Sequence, residues 1–408
     1  MNQEKLREYA ELTVRIGAVI KPGQYVVIRA NPEIEEFAAI VAEECYKAGA
    51  KRVVMSWRSF AVDRVGFKYA SAEDLGRATA YDIGFEKFQT DELAVLIWLD
   101  GDDPDGLAGV DANKVAQVRS IRYQATREYI DAREDKHQWT IIGVPTPKWA
   151  KKVFPDLPEE EAVEKLWDAV LYTARCDKSN AVEAWEAHEK ELKSRCDVLN
   201  SLHLRKLKYS SKNGTDLEIG LIPGVIFLGG AEKTIDGTVF QPNIPTEECF
   251  TSPRRGEAEG IVYASKPLAY QGQLIDKFWM RFHDGKVVDC GAEKGEAALR
   301  SILTLDEGAS YLGEAALVPF DSPINQTGLL FYSTLYDENA CCHLAIGTGF
   351  PNLYPNFEKY TLEEITSFGI NHSLSHVDFM IGTADLSIIG VKEDGTEVQL
   401  FKNGTWAF

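Results

Sequence analysis

The spacing of apolar residues changes part-way along this chain, and no single architecture accommodates both patterns. Up to about residue 150, the apolar runs Tyr25 to Ala30, Arg52 to Trp57, Leu93 to Leu99 and Trp139 to Val144 alternate with longer amphipathic segments. That is the rhythm of βαβ units, in which helices cover a mostly parallel sheet. The first crossover is punctuated residue by residue. Asn31 suits a helix cap, Pro32 the first helical position, Glu33, Glu35 and Glu36 the positive end of the helix, and Gly49 its exit. Asp111 to Asp135 reads as a further long helix after the acidic turn Asp100 to Gly106.

After Leu207 the runs shorten and are divided by Lys212-Asn213-Gly214, Asp284-Gly285-Lys286 and Asp394-Gly395. Asn-Gly and Asp-Gly supply the backbone conformations that tight hairpins need. Between the two regimes, Pro155 to about Leu199 is charged and helical, with Trp167, Val170, Leu171 and Ala174 spaced to make one apolar face. This stretch is expected to bridge two domains. Its apolar stripe reads as packing, and so do Trp185 and His188 farther along. The expectation is an α/β N-terminal domain with a mostly parallel sheet over residues 1–195, plus a β-rich α+β C-terminal domain over 196–408. Length agrees, because a single core stops growing beyond roughly 250–300 residues.

Charge narrows the function. Sixty-three acidic against forty-four basic residues give a formal charge of −19, which repels a nucleic-acid backbone and an anionic membrane surface, so neither is an expected partner. The excess could favour a cationic ligand such as the free amino end of a peptide, although acidic surfaces more often serve plain solubility. Met1 to Arg7 has no apolar signal-peptide core, and no later run approaches the roughly twenty residues of a membrane helix. Cys45, Cys176, Cys196, Cys249, Cys290, Cys341 and Cys342 are scattered, odd in number and without a Cys-x-x-Cys pair, which fits reduced thiols in the cytoplasm. There is no Gly-x-Gly-x-x-Gly and no Walker loop, so the first domain reads as scaffold rather than nucleotide site. Gly-x-Ser-x-Gly and His-Glu-x-x-His are missing as well.

The chemistry concentrates late in the chain. Three of seven histidines, His343, His372 and His376, lie near the C-terminus in the company of Glu338 and Asp378, residue types that ligate zinc and its neighbours. In Ser375 to Gly382 polar and apolar residues alternate, which puts His376 and Asp378 on one face of a strand, roughly 7 Å apart. A strand with a polar outer face would look the same. Glu338 follows the apolar run Leu329 to Leu335 and so sits near a strand end, with His343 in the next turn or strand. Cys341 and Cys342 read as packing, since carboxylate company suits harder metals that retain water. Glu314 interrupts the apolar stretch Leu312 to Val318, where a carboxylate must be paired, protonated or metal-bound, and an arginine would serve as well as a metal. Thr246 followed by Glu247 and Glu248 also resembles a helix cap.

Four segments taken together, Asn243 to Thr251, Gly313 to Val318, Asp337 to Ala345 and His376 to Gly382, resemble in order and spacing the motifs of the thermophilic-type aminopeptidases, the group of aminopeptidases T and S and PepS. The likeness runs over essentially the whole chain. It implies a catalytic C-terminal domain in which Glu248, Glu314, Glu338, His343, His376 and Asp378 match the ligands of two divalent metal ions, with Glu314 matching the bridging carboxylate. Zinc or cobalt is the implied metal, with manganese or magnesium as alternatives. It also implies a homodimer and peptide substrates with a free N-terminus. The metals would activate a water, and Glu247 is the candidate general base. One position departs. The family usually carries a catalytic tyrosine seven residues after the histidine matching His343, and here Phe350 stands instead. A phenyl ring cannot donate to an oxyanion, and losing one such donor costs on the order of 100- to 1000-fold in rate. Tyr354 is the nearest substitute; the other reading of the change is a catalytically silent or weakened relative that acts as a metal-binding protein.

Overall fold

Val26, Val27 and Ile28 have no exposure to solvent, so the strand that carries them, β1 (Tyr25–Ala30), must be covered on both faces. The computed structural model describes residues 3–178, 180–270 and 273–408. The chain forms two compact units, Met1–Ala187 with Ala231–Pro245, and His188–Gly230 with Thr246–Phe408.

In the first unit β1 lies between β2 (Arg52–Trp57) and β3 (Val95–Asp100), and β4 (Trp139–Gly143) follows, all parallel. The expected punctuation operates. Asn31 Oδ1 accepts the backbone N–H of Glu33 at 2.9 Å ahead of the helix Glu35–Lys47, and Gly49 leaves it at φ +96°. The third strand starts later than the apolar run because Leu93 turns at φ +45°. Asp111 caps the helix Ala112–Arg133 by accepting from Asn113 at 2.9 Å. The charged bridge is two helices, Glu159–Thr173 and Ala181–Ser201, and Trp167, Val170, Leu171 and Ala174 are all buried.

The second unit opens with the hairpin β5 (Leu204–Ser210) and β6 (Asp216–Leu221), turned by Asn213-Gly214. The chain then returns to the first unit, where β7 (Glu232–Lys233) pairs with β8 (Val239–Phe240) and β9 (Asn243–Ile244) adds in parallel beside β4. Against the single boundary expected near residue 195, the chain thus passes between units at 187/188, 230/231 and 245/246. A two-residue strand has no periodicity to announce it.

The rest of the second unit is antiparallel. A large sheet contains β5, β6, β11 (Pro253–Tyr263), β12 (Leu268–Tyr270), β13 (Gln273–His283) and β14 (Lys286–Lys294), together with β18 (Ser387–Lys392), β19 (Glu397–Lys402) and β20 (Thr405–Trp406). A smaller sheet runs β10 (Cys249–Thr251), β15 (Leu312–Leu317), β16 (His343–Gly347), β17 (His376–Met380). One face of this small sheet presents Cys249, Ala315, Leu317, Leu344, Ile346, Val377 and Phe379, all members of the unit's main hydrophobic core. The other face carries the polar residues.

Candidate metal centre

Strand register decides which side chains meet. Glu314 stands opposite Ala345, and Ala345 opposite Asp378, so the three lie in one row across β15, β16 and β17. His343 and His376 are two residues from Ala345 and Asp378 along their strands, which returns them to the same face. Phe250 pairs with Ala316, which pairs with His343, and Glu248 lies two residues before Phe250. Ala316 and Ala345 hold the centre of this face with the smallest side chain that keeps a strand regular, leaving space above them for the longer acids and imidazoles.

The placement of Glu314 depends on an irregularity. Leu312 faces Ile346, yet Glu314 faces Ala345, so Gly313 is an extra residue in the ladder. A Cβ at Gly313 would lie 2.2 Å from the carbonyl oxygen of Thr348, which only glycine avoids. Without the bulge the alternation would send Glu314 to the core side and leave a carboxylate in oil.

The result is a cluster of ligand atoms. Donor atoms of Glu248, Glu314 and His343 lie within 4.8 Å of one another, and so do those of Glu314, His376 and Asp378. Glu314 belongs to both triads. His343 Nε2 is 3.2 Å from Glu248 Oε2; His376 Nε2 is 3.1 Å from both Glu314 Oε2 and Asp378 Oδ1. Glu338 approaches from the turn Glu338–Ala340, and Asn339 Nδ2 donates to its Oε1 at 3.4 Å.

Comparison with known proteins agrees with this centre. The model of the thermophilic metalloprotease (M29) family matches residues 2–406. The chain belongs to the M29 metalloprotease family. It is 40% identical to aminopeptidase T of Thermus aquaticus over 405 residues, covering 99% of this chain and 98% of that one. It is 38% identical to aminopeptidase AmpS of Bacillus subtilis over 408 residues, covering 99% of each. The solved structure of wild-type AmpT from Thermus thermophilus superposes with a TM-score of 0.91 at 38% identity, covering 100% of both chains.

The donor chemistry of this M29 chain fits divalent metal ions. Four carboxylates face two imidazoles, an excess of acid that side chains of the cluster do not neutralise. Each imidazole is also oriented from behind: His376 Nδ1 lies 2.8 Å from the carbonyl of Thr348, and His343 Nδ1 3.4 Å from that of Cys341. A proton on each Nδ1 satisfies those carbonyls and leaves Nε2 as the ligand, the arrangement by which proteins fix the tautomer of a metal-binding histidine. Without metal the cluster keeps its protons. Desolvation, opposed by the hydrogen bond from His376 and reinforced by the charges of Glu248 and Asp378, pushes Glu314 up to about 7. Desolvation and the charges of Asp378 and Glu248 push Glu338 well above the carboxylate range. Burial raises Asp378 as well, but the charge and hydrogen bond of His376 outweigh it and hold Asp378 down, at about 2. Both histidines lie well above their ordinary value, because neighbouring carboxylates outweigh desolvation.

Other candidates land elsewhere. The helix-cap alternative for Thr246 does not hold, since Glu247 and Glu248 lead into strand β10 with no helix beginning there. Among the described residues no arginine partners Glu314; His376 does. The run Leu329 to Leu335 is not a strand: it turns through Tyr332 at φ +56° into the short helix Thr334–Asp337. His372 is exposed, outside both triads. Glu247 is buried with its backbone N–H donating to Asn339 Oδ1 at 2.8 Å and its carboxylate 3.7 Å from His188 Nε2, a neighbour that the sequence did not suggest. Phe350 does reach the centre, its ring 5.1 Å from that of His376 and 5.2 Å from Phe250. Tyr354 instead stacks on Phe368 at 4.8 Å, beside Ile222, Ile365 and Ile370. All seven cysteines are free and buried. Ala316 and Ala345, small residues two positions from Glu314 and His343, were a legible sign that the expectations did not use, whereas nothing local marks the bulge at Gly313.

Proposed function

We propose that this chain, a metal-dependent aminopeptidase, removes the N-terminal residue from peptides using two divalent ions held by Glu248, Glu314, Glu338, His343, His376 and Asp378. The observation that carries this reading is the membership of Glu314 in both ligand triads, as a carboxylate shared by two adjacent ions would require. When bound, such ions supply Lewis acidity that polarises a scissile carbonyl and brings the pKa of a water toward neutrality. The side chains do the positioning. Thr348 and Cys341 carbonyls hold the imidazoles with Nε2 forward. Glu247 is the proposed general base, buried next to Glu248 and kept in place by Asn339 and His188. Phe350 packs its ring 5.1 Å from that of His376 and offers no proton.

Zinc or cobalt is the proposed metal, because imidazole with carboxylate is their usual company. A homodimer is proposed from the family likeness, and exposed Val62, Val65 and Tyr69 on the helix Phe60–Tyr69 make a stripe that a second copy could cover. The cytoplasm is the proposed compartment, supported by seven free cysteines; among the described residues no helix is long and apolar enough to cross a membrane. A silent relative is the second reading, favoured only by Phe350. Turnover decides: purified protein with zinc or cobalt should hydrolyse leucyl-anilide, EDTA should abolish this, and metal should restore it. Full turnover in chelator would overturn the metal-dependent reading.

A further inference from the structure

His376 is the more exposed of the two imidazoles, with 23% of its side chain open to solvent against 1% for His343. Packing holds it less, so its aim depends more on the carbonyl of Thr348, 2.8 Å from its Nδ1. That carbonyl belongs to a tight turn where the chain leaves β16. Gly347 makes the turn at φ +109°, and a Cβ there would lie 2.0 Å from the carbonyl oxygen of Ser375.

Asn371 secures the peptides on both sides of Thr348. Its Nδ2 donates to the carbonyl of Gly347 at 2.5 Å and to that of Gly308 at 2.9 Å, while its backbone carbonyl accepts the N–H of Gly349 at 2.8 Å. The Thr348–Gly349 peptide thus has its N–H on Asn371 and its carbonyl on His376, and hydrogen bonds linked in this way reinforce one another. Asn371 is 1% exposed, and its Oδ1 meets no donor among the described residues. Leucine would fill the same space without stranding an amide oxygen, so what asparagine supplies here is its donated bonds. His343 is served differently. The carbonyl 3.4 Å from its Nδ1 is that of Cys341, two residues back on its own chain and outside the Thr348 turn.

We propose that Asn371 is a positioning residue for one of two metal ions: by fixing the Thr348 carbonyl it holds His376 Nε2 toward Glu314 and Asp378. It therefore sets the affinity of the ion at that triad and not of the ion at Glu248, Glu314 and His343. The inference rests on the two-ion reading given above.

Cobalt titration of the metal-free chain tests this, with affinity read by competition against a chelator and by the visible absorption of the bound ion. The native chain should take up two ions. Asn371→Leu nearly keeps the volume and removes both donated bonds. It should weaken one ion by about 10- to 100-fold, the range for losing a bond that orients a ligand, and leave the other within about threefold. Asn371→Ser, a milder change, should give a smaller loss at the same ion. In a His376→Ala background, which lacks that ion, Asn371→Leu should shift the remaining constant by no more than about threefold. Constants that weaken together, a loss that persists in the His376→Ala background, or constants unchanged in both variants would overturn the proposal. A native chain that takes up a single ion overturns the two-ion reading instead; Asn371 is then supported if Asn371→Leu weakens that ion and overturned if it does not.

Discussion

Glu86 in the first unit and Glu314 in the second are both carboxylates withdrawn from water, and they are accommodated in opposite ways. Glu86 has an ion-pair partner, the guanidinium of Arg133 at 2.7 Å, with side-chain exposures of 18% and 8%. Glu314 has an imidazole at 3.1 Å, but it shares that imidazole with Asp378 and lies in the field of Glu248. The first carboxylate finds all the positive charge it needs within the fold, from Arg133 and the neighbouring Arg29, as a structural ion pair should. The second is short of positive charge, and a fold tolerates that only where something from outside the chain supplies it. Buried charge as such therefore says little about function; the balance of charge around it separates scaffold from site.

Substitution should sharpen this contrast. The largest effect is expected for Glu314→Gln, which removes the carboxylate common to both triads: metal content by mass spectrometry should fall and anilide hydrolysis should drop by about 1000-fold or more, comparable to other losses of transition-state stabilisation. In chelator the same variant should melt no lower than the native chain, because it relieves like-charge crowding. Glu86→Gln should do the reverse, leaving hydrolysis per folded molecule unchanged and lowering stability in urea by about 3 kcal/mol through the stranded Arg133. If both variants behave alike, the distinction drawn between the two regions fails.

A smaller effect tests the register. Gly313→Ala places a Cβ against the Thr348 carbonyl, which must move or force the bulge out. Its expected cost is about 2 kcal/mol in thermal or urea unfolding, in the range of other overpacked sites, accompanied by a measurable loss of bound metal. Destabilisation with metal stoichiometry intact would show that the bulge serves packing alone.

The smallest effect returns to the first unit, where Glu232 lacks the imidazole company of Glu314. Desolvation, with the nearby charge of Asp135, pushes it up to about 7. The folded chain therefore keeps a proton that the unfolded chain releases near its ordinary value of about 4.3. The folded state binds more protons between those values, so stability falls as pH rises through that window and the loss is complete above about 7. Because Glu232 keeps some contact with water, the effect should be on the order of 1 kcal/mol. Glu232→Gln should raise the melting temperature at pH 8 and leave it nearly unchanged at pH 4, and an equal change at both would break the assignment.

Much was legible before any coordinates. The strands of the first unit, the Asn31 cap, the hairpin at Asn213-Gly214 and the shared face of His376 and Asp378 all follow from spacing over a few residues, which the backbone's own periods of 2 and 3.6 impose wherever the chain lies. The resemblance of four motifs pointed to six residues, of which Glu248, Glu314, His343, His376 and Asp378 meet in the two triads. What only the tertiary structure decided concerns residues distant in sequence: the Gly313 bulge that turns Glu314 toward Asp378, the return of β9 to the first sheet, and the seat of Tyr354 among Phe368 and Tyr360. These depend on register and contact between strands and turns that sequence periodicity leaves free, since a shift of one residue preserves every local pattern while reversing which face each side chain meets.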